Sequence, residues 1–178
     1  AEGSLPNDVT DPGVPYYDGL EFYREAPDYA VFSGDHSGSG SGGPGYTLPR
    51  EAGALISAGA PGVLVMDGLV TESSGSRFFI TQLGDAYLDT KYTAFGRIVH
   101  GERVLKKIRK GDVIESVTII RVGGEANRLR FDEKTLAELE NETREAEIQA
   151  LFIANTALAE AATSLGEDRV KTSTGIYY

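Results

Sequence analysis

Apolar positions between residues 17 and 123 fall in short runs: Tyr29–Phe32, Gly62–Met66, Phe78–Thr81, Ala94–Val99 and Ser116–Val122. Turn-forming residues separate them. Runs of this length, rich in aromatic and β-branched residues, predict strands, and a series of them predicts an all-β barrel or sandwich. One internal segment has another rhythm. In Arg103–Lys110, Val104, Leu105 and Ile108 share a helical face, and Gly111 stops the helix.

From Phe131 to about Leu165 the pattern changes again. This stretch has neither proline nor glycine and is dominated by Ala, Glu and Leu, the strongest helix formers. Leu136, Leu139, Ala146, Ala150, Ile153, Ala157 and Ala161 form an apolar seam. Asp132 reads as the N-cap, Phe131 and Leu136 as a hydrophobic staple, and Gly166 as the stop. One helix over this span would be roughly 50 Å long; two helices broken near Thr143 or Asn155 fit the pattern equally. The chain therefore divides into a turn-rich start (1–16), a β domain (17–124), a helical extension (125–166) and a tail (167–178).

Composition narrows the chemistry. Against 17 basic residues stand 27 acidic ones, a formal charge of −10, which argues against a nucleic-acid partner held through its phosphates. There is no cysteine, so neither a disulfide nor a thiolate nucleophile. No apolar run approaches the length of a membrane span. Two histidines and no ligand-spaced motif give no reason to expect a metal or other cofactor. Gly38-Ser-Gly-Ser-Gly-Gly43 matches G-x-G-x-x-G, but Pro44-Gly45 follows instead of a helix. It reads as a flexible loop. Asn141-Glu-Thr143 is a formal glycosylation sequon inside the predicted helix and reads as coincidence.

Taken alone, Arg24 in Phe22-Tyr-Arg-Glu-Ala-Pro-Asp-Tyr29 is a surface cation beside Glu25 or Asp28. The ordered set of segments changes that reading. FYREAPDYAVFSGD is followed by GSGSGGPGY, GVLVM, GSRFFIT, AYLDTKYTAFGRIVHG and VIESVTIIRVG. In order and spacing this resembles the cyclophilins, prolyl isomerases with an antiparallel β-barrel fold. The resemblance implies an isomerase acting on proline-containing polypeptides and assisting their folding. It places Arg24 on the family's catalytic arginine, Tyr29 and Phe79 on the aromatics of the proline pocket, and Leu88 on its leucine. Tyr87 stands for a tryptophan, Tyr92 for a histidine and Ala30 for a methionine. Phe32 and Arg77 each stand for a glutamine, and Asp67-Gly68 for the alanine-asparagine pair that holds the substrate chain.

The implied mechanism has a physical logic. Amide resonance puts ~18–20 kcal/mol in the way of rotation about the peptide bond. Twisting the bond leaves a lone pair on the prolyl nitrogen, which a fixed guanidinium stabilises only in the twisted state. Arg77 reads either as a substitute hydrogen-bond donor or as a sign of lapsed catalysis, and a second cation near Arg24 calls for an acid between, with Asp67 and Glu72 the candidates. The departures leave a second reading open: a binding or structural module that holds proline-containing chains or assembles with copies of itself.

A full cyclophilin has two strands and a helix ahead of the region matched by Tyr17. They lie outside this sequence, another chain or a strand such as Thr172–Tyr178 from a neighbouring copy replaces them by strand addition, or the fold is remodelled. KTSTGIYY resembles the opening of an FKBP-type domain. The resemblance and the lack of cysteine imply an extracytoplasmic bacterial location.

Overall fold

The computed structural model describes residues 5–51, 56–68, 72–128 and, further on, 134, 137–138, 141–142, 144–145, 148–149, 152–153 and 156–157. The chain forms two compact units, Ala1–Leu136 and Ala137–Tyr178.

The first unit is an antiparallel sheet of β1 (Arg24–Ala26), β2 (Ala30–Ser33), β3 (Thr47–Pro49), β4 (Val63–Gly68), β5 (Glu72–Thr81) and β6 (Ala94–Arg97). Its order is β1-β2-β5-β4-β6, with β3 pairing along the far end of β5. Four of the five predicted strands are present. Ten-residue β5 is the organiser, because its length lets it pair with β2, β3 and β4. Only its apolar end, Phe78–Thr81, stood out in the sequence.

The predicted barrel is not closed. Closure requires every strand to have two neighbours, whereas among the described residues β1 and β6 are sheet ends. The fifth predicted strand, Ser116–Val122, joins no ladder among the described residues, and Ile119, Ile120 and Val122 are exposed. Its β-branched residues have strand propensity, but a strand is made by pairing.

Alternation along the strands splits the apolar residues between two faces. Ala30, Phe32, Val63, Val65, Phe79, Leu88 and Ala94 pack on one. Val31 packs on the other with Phe22 and Leu105, flanked by Ile80, Ile98, Ile108 and Ile114. Leu105 comes from α1 (Glu102–Leu105), a single turn in place of the longer helix expected, which starts at Gly101, at φ 97°. Another short helix, α2 (Gly124–Arg128), ends the continuously described chain.

In the second unit, the described residues between 137 and 157 are helical. Thr156 Oγ1 donates to the Phe152 carbonyl one turn back, at 2.9 Å. The continuous helix predicted over 131–165 is not established, since Leu136, Leu139, Ala146, Ala150 and Ala161 lie outside the described residues, as does the tail 167–178.

Candidate active site

The site starts from a tight hairpin. Pro27 and Asp28 turn the chain between β1 and β2, Asp28 takes a positive φ of 59°, and the Tyr29 amide closes the turn on the Ala26 carbonyl at 2.9 Å. The resulting register sets Arg24 opposite Phe32 and Phe32 opposite Phe79. Directly paired residues point to the same side of a sheet, so the guanidinium and both rings share a face. Arg24 Cζ lies 3.5 Å from the centroid of the Phe32 ring. Phe32 contacts Phe79 with centroids 5.1 Å apart, and Tyr92 meets Phe79 edge-on at 5.4 Å. Leu88, on a 3-10 helix spanning Ala86–Thr90, completes the apolar floor. Among the described residues no carboxylate pairs with Arg24; Glu25 points the other way and pairs with Arg109 at 3.5 Å.

The remaining predicted residues divide by position. Ala30 is fully buried inside the core cluster. Tyr29 packs partly buried against that cluster and donates to Asp85 Oδ2 at 3.0 Å. Burial, then this bond, raises its phenol pKa. Tyr87 is exposed, with Lys91 Nζ 4.8 Å from its ring centroid.

Asp67, Gly68 and Arg77 belong to a neighbouring polar cluster. Asp67 Oδ2 accepts from Arg77 Nε at 3.4 Å and from the Tyr23 hydroxyl at 3.3 Å, so an acid does accompany the second cation. Glu72's side chain lies outside the described residues. Burial, with Asp67 adding to it, pushes the Tyr23 phenol well above its ordinary pKa. Arg77 Nη1 also donates to the Gly42 carbonyl at 2.6 Å. Arg77, Gly42, Gly68, Ser73 and Tyr46 line a groove of about 620 Å³.

The glycine-rich loop is pinned rather than flexible. Asp35, almost completely buried, accepts from the amides of Ser37, Gly40 and Gly42 at 2.8, 2.6 and 3.2 Å and from the Ser37 hydroxyl at 2.7 Å. Burial alone would raise this carboxyl, but the donors overcome it and hold its pKa at about 2. A side chain at Gly42 would collide with the Asp35 carboxylate. Asp35, Tyr23 and Asp85 escaped the sequence reading. The one local signal was a lone acid directly before a run of glycines and serines, which supply free amides.

Residues 7–124 match the family model described as cyclophilin type peptidyl-prolyl cis-trans isomerase/CLD. Peptidyl-prolyl cis-trans isomerase B of Bacillus subtilis is 34% identical over 104 residues, covering 58% of this chain and 73% of that protein. Peptidyl-prolyl cis-trans isomerase A of Mycobacterium tuberculosis is 34% identical over 129 residues, covering 65% and 71%. A solved cyclophilin type peptidyl-prolyl cis-trans isomerase of Cryptosporidium parvum, in the presence of the dipeptide Ala-Pro, aligns at 26% identity and a TM-score of 0.49, over 52% of this chain and 62% of that one. With a family model spanning the whole sheet and relatives at this identity, the chain belongs to the cyclophilin-type peptidyl-prolyl cis-trans isomerase family.

Proposed function

We propose that the chain interconverts cis and trans prolyl bonds in extended polypeptides, with Arg24 donating a hydrogen bond to the prolyl nitrogen as the bond twists. One observation carries this reading: an exposed guanidinium stacked at 3.5 Å on the Phe32 ring, beside the apolar cluster of Phe79, Leu88 and Tyr92. A guanidinium donates from the rim of its plane. Stacking on an aromatic face therefore fixes the cation and leaves its N–H groups free for a substrate. Phe32 does by a cation–π contact what a hydrogen-bonding residue would do by occupying some of those donors.

The pyrrolidine ring takes the apolar surface around Phe79 and Tyr92, and the chain on one side of it takes the groove along Gly68 and Arg77. Held at both places, the substrate rotates only at the bond between them. No proton transfer, covalent step or metal is needed, because the donor is stronger toward the twisted nitrogen than toward the planar one. Assistance to folding clients and an extracytoplasmic bacterial setting belong to the same proposal; the resemblance of the segments to the family, together with the lack of cysteine, favours the setting.

Cis/trans exchange in a short Ala-Pro peptide tests it, wild type against Arg24→Ala. A wild-type rate equal to the uncatalysed one, or an unimpaired variant, overturns the reading.

A further inference from the structure

Fourteen residues, Arg97 to Lys110, hold six of the chain's 17 cationic side chains and a single acid, Glu102, in a protein of formal charge −10. All six cations, Arg97, Arg103, Lys106, Lys107, Arg109 and Lys110, are exposed. Arg109 is engaged by Glu25. Among the cations stand two valines that the fold leaves in solvent: Val99 is 74% exposed and Val104 64%.

The topology places this segment opposite the candidate active site. Leu105, Ile98 and Ile108 pack with Val31 and Ile80, whose neighbours in the same strands, Phe32 and Phe79, face the other way into the cluster beneath Arg24. Glu25, one residue after Arg24, likewise reaches back to Arg109. From Ile98 onward the basic segment thus covers one face of the sheet and Arg24 stands on the other; Arg97, paired with Val63, points to the face of Arg24 and is no part of the basic face.

We propose that this basic face docks the protein on an anionic lipid bilayer, its lysines and arginines on the headgroup phosphates and Val99 and Val104 at the headgroup–acyl boundary. Cations mixed with exposed apolar side chains suit an interface with charge outside and hydrocarbon beneath. An oligonucleotide uses the cations and leaves the valines in water. A substrate peptide has to reach the opposite face. The docked orientation turns Arg24 outward, accessible to chains in solution. Because the whole protein is acidic, attraction is confined to short range and weakens steeply with salt.

Co-sedimentation of the full chain with vesicles decides it, using phosphatidylcholine alone and roughly one part phosphatidylglycerol to three parts phosphatidylcholine. Binding to the anionic vesicles is expected, falling about tenfold or more in Lys106→Gln/Lys107→Gln/Lys110→Gln and several-fold in Val99→Ser/Val104→Ser. Far-UV circular dichroism and exchange of an Ala-Pro peptide in solution stay as in the wild type. Four results overturn it: no sedimentation with anionic vesicles, equal sedimentation with neutral ones, undiminished binding by the triple variant, or wild-type binding insensitive to salt. A single-stranded oligonucleotide that binds as tightly and depends on the same lysines also overturns it, in favour of a general polyanion site.

Discussion

Arg24 and Phe32 sit directly across the β1–β2 hairpin from each other, the guanidinium carbon 3.5 Å from the centre of the ring. Backbone register creates this pair, so the cation is positioned by the same ladder that forms the sheet. The ring beneath is itself held, buried against Phe79.

Removing the ring therefore loosens the cation. Phe32→Leu keeps an apolar core but loses the cation–π contact and the aromatic pair, each about 0.5–2 kcal/mol. A fall in kcat of roughly tenfold is expected, with a lower Tm. In steady-state kinetics the effects of Phe32→Leu and Arg24→Ala are non-additive, since the ring acts through the cation. Strict additivity shows that Phe32 does not position Arg24.

Arg77 holds the loop carbonyl of Gly42 and the Asp67 carboxylate together. Arg77→Ala leaves the largely buried Asp67 without its cation and detaches the loop from β5, while Arg24 stays stacked. A KM rise of several-fold is expected, with kcat changed by less than about threefold, because uniform binding rather than transition-state preference is lost. A kcat collapse at unchanged KM assigns Arg77 to the chemistry instead.

The sequence disclosed the parts of this design that repeat or run locally. Ala30 and Phe32 pack on one face and Val31 on the other, so a short apolar run with no polar position marked a strand buried on both faces. Polar Ser73, Ser74 and Ser76 hid the outer half of β5, although all three are buried there, with Ser76 Oγ bonded to the Gly34 carbonyl at 2.7 Å. Propensity misled at Ser116–Val122, where suitable residues lack a ladder among the described residues. The Tyr23–Asp67 contact joins positions 44 apart and Glu25–Arg109 positions 84 apart. Nothing local announces such pairs, which arise from strand order. Arg24 itself was legible only through the segments around it.

Asp35 gives the fold an acid-sensitive latch. Its carboxyl has an ordinary pKa of 3.8 and is held at about 2 in the folded chain. A depressed folded pKa contributes stability that is complete above the unfolded value and disappears as pH falls through the folded one. A shift of this size corresponds to about 2 kcal/mol. Thermal melts of the wild type should lose stability between about pH 4 and pH 2 more steeply than those of Asp35→Asn. Parallel curves for the two proteins contradict the latch.

The most direct test of the catalytic account is exchange spectroscopy on an Ala-Pro peptide with Arg24→Ala, measuring the peptide's affinity and its cis/trans rate in the same samples. The rate enhancement is predicted to fall by roughly 10²-fold, the loss typical of removing one transition-state donor, while affinity changes by less than about threefold. An Arg24→Ala protein that binds the peptide and still isomerises it at the wild-type rate contradicts the account.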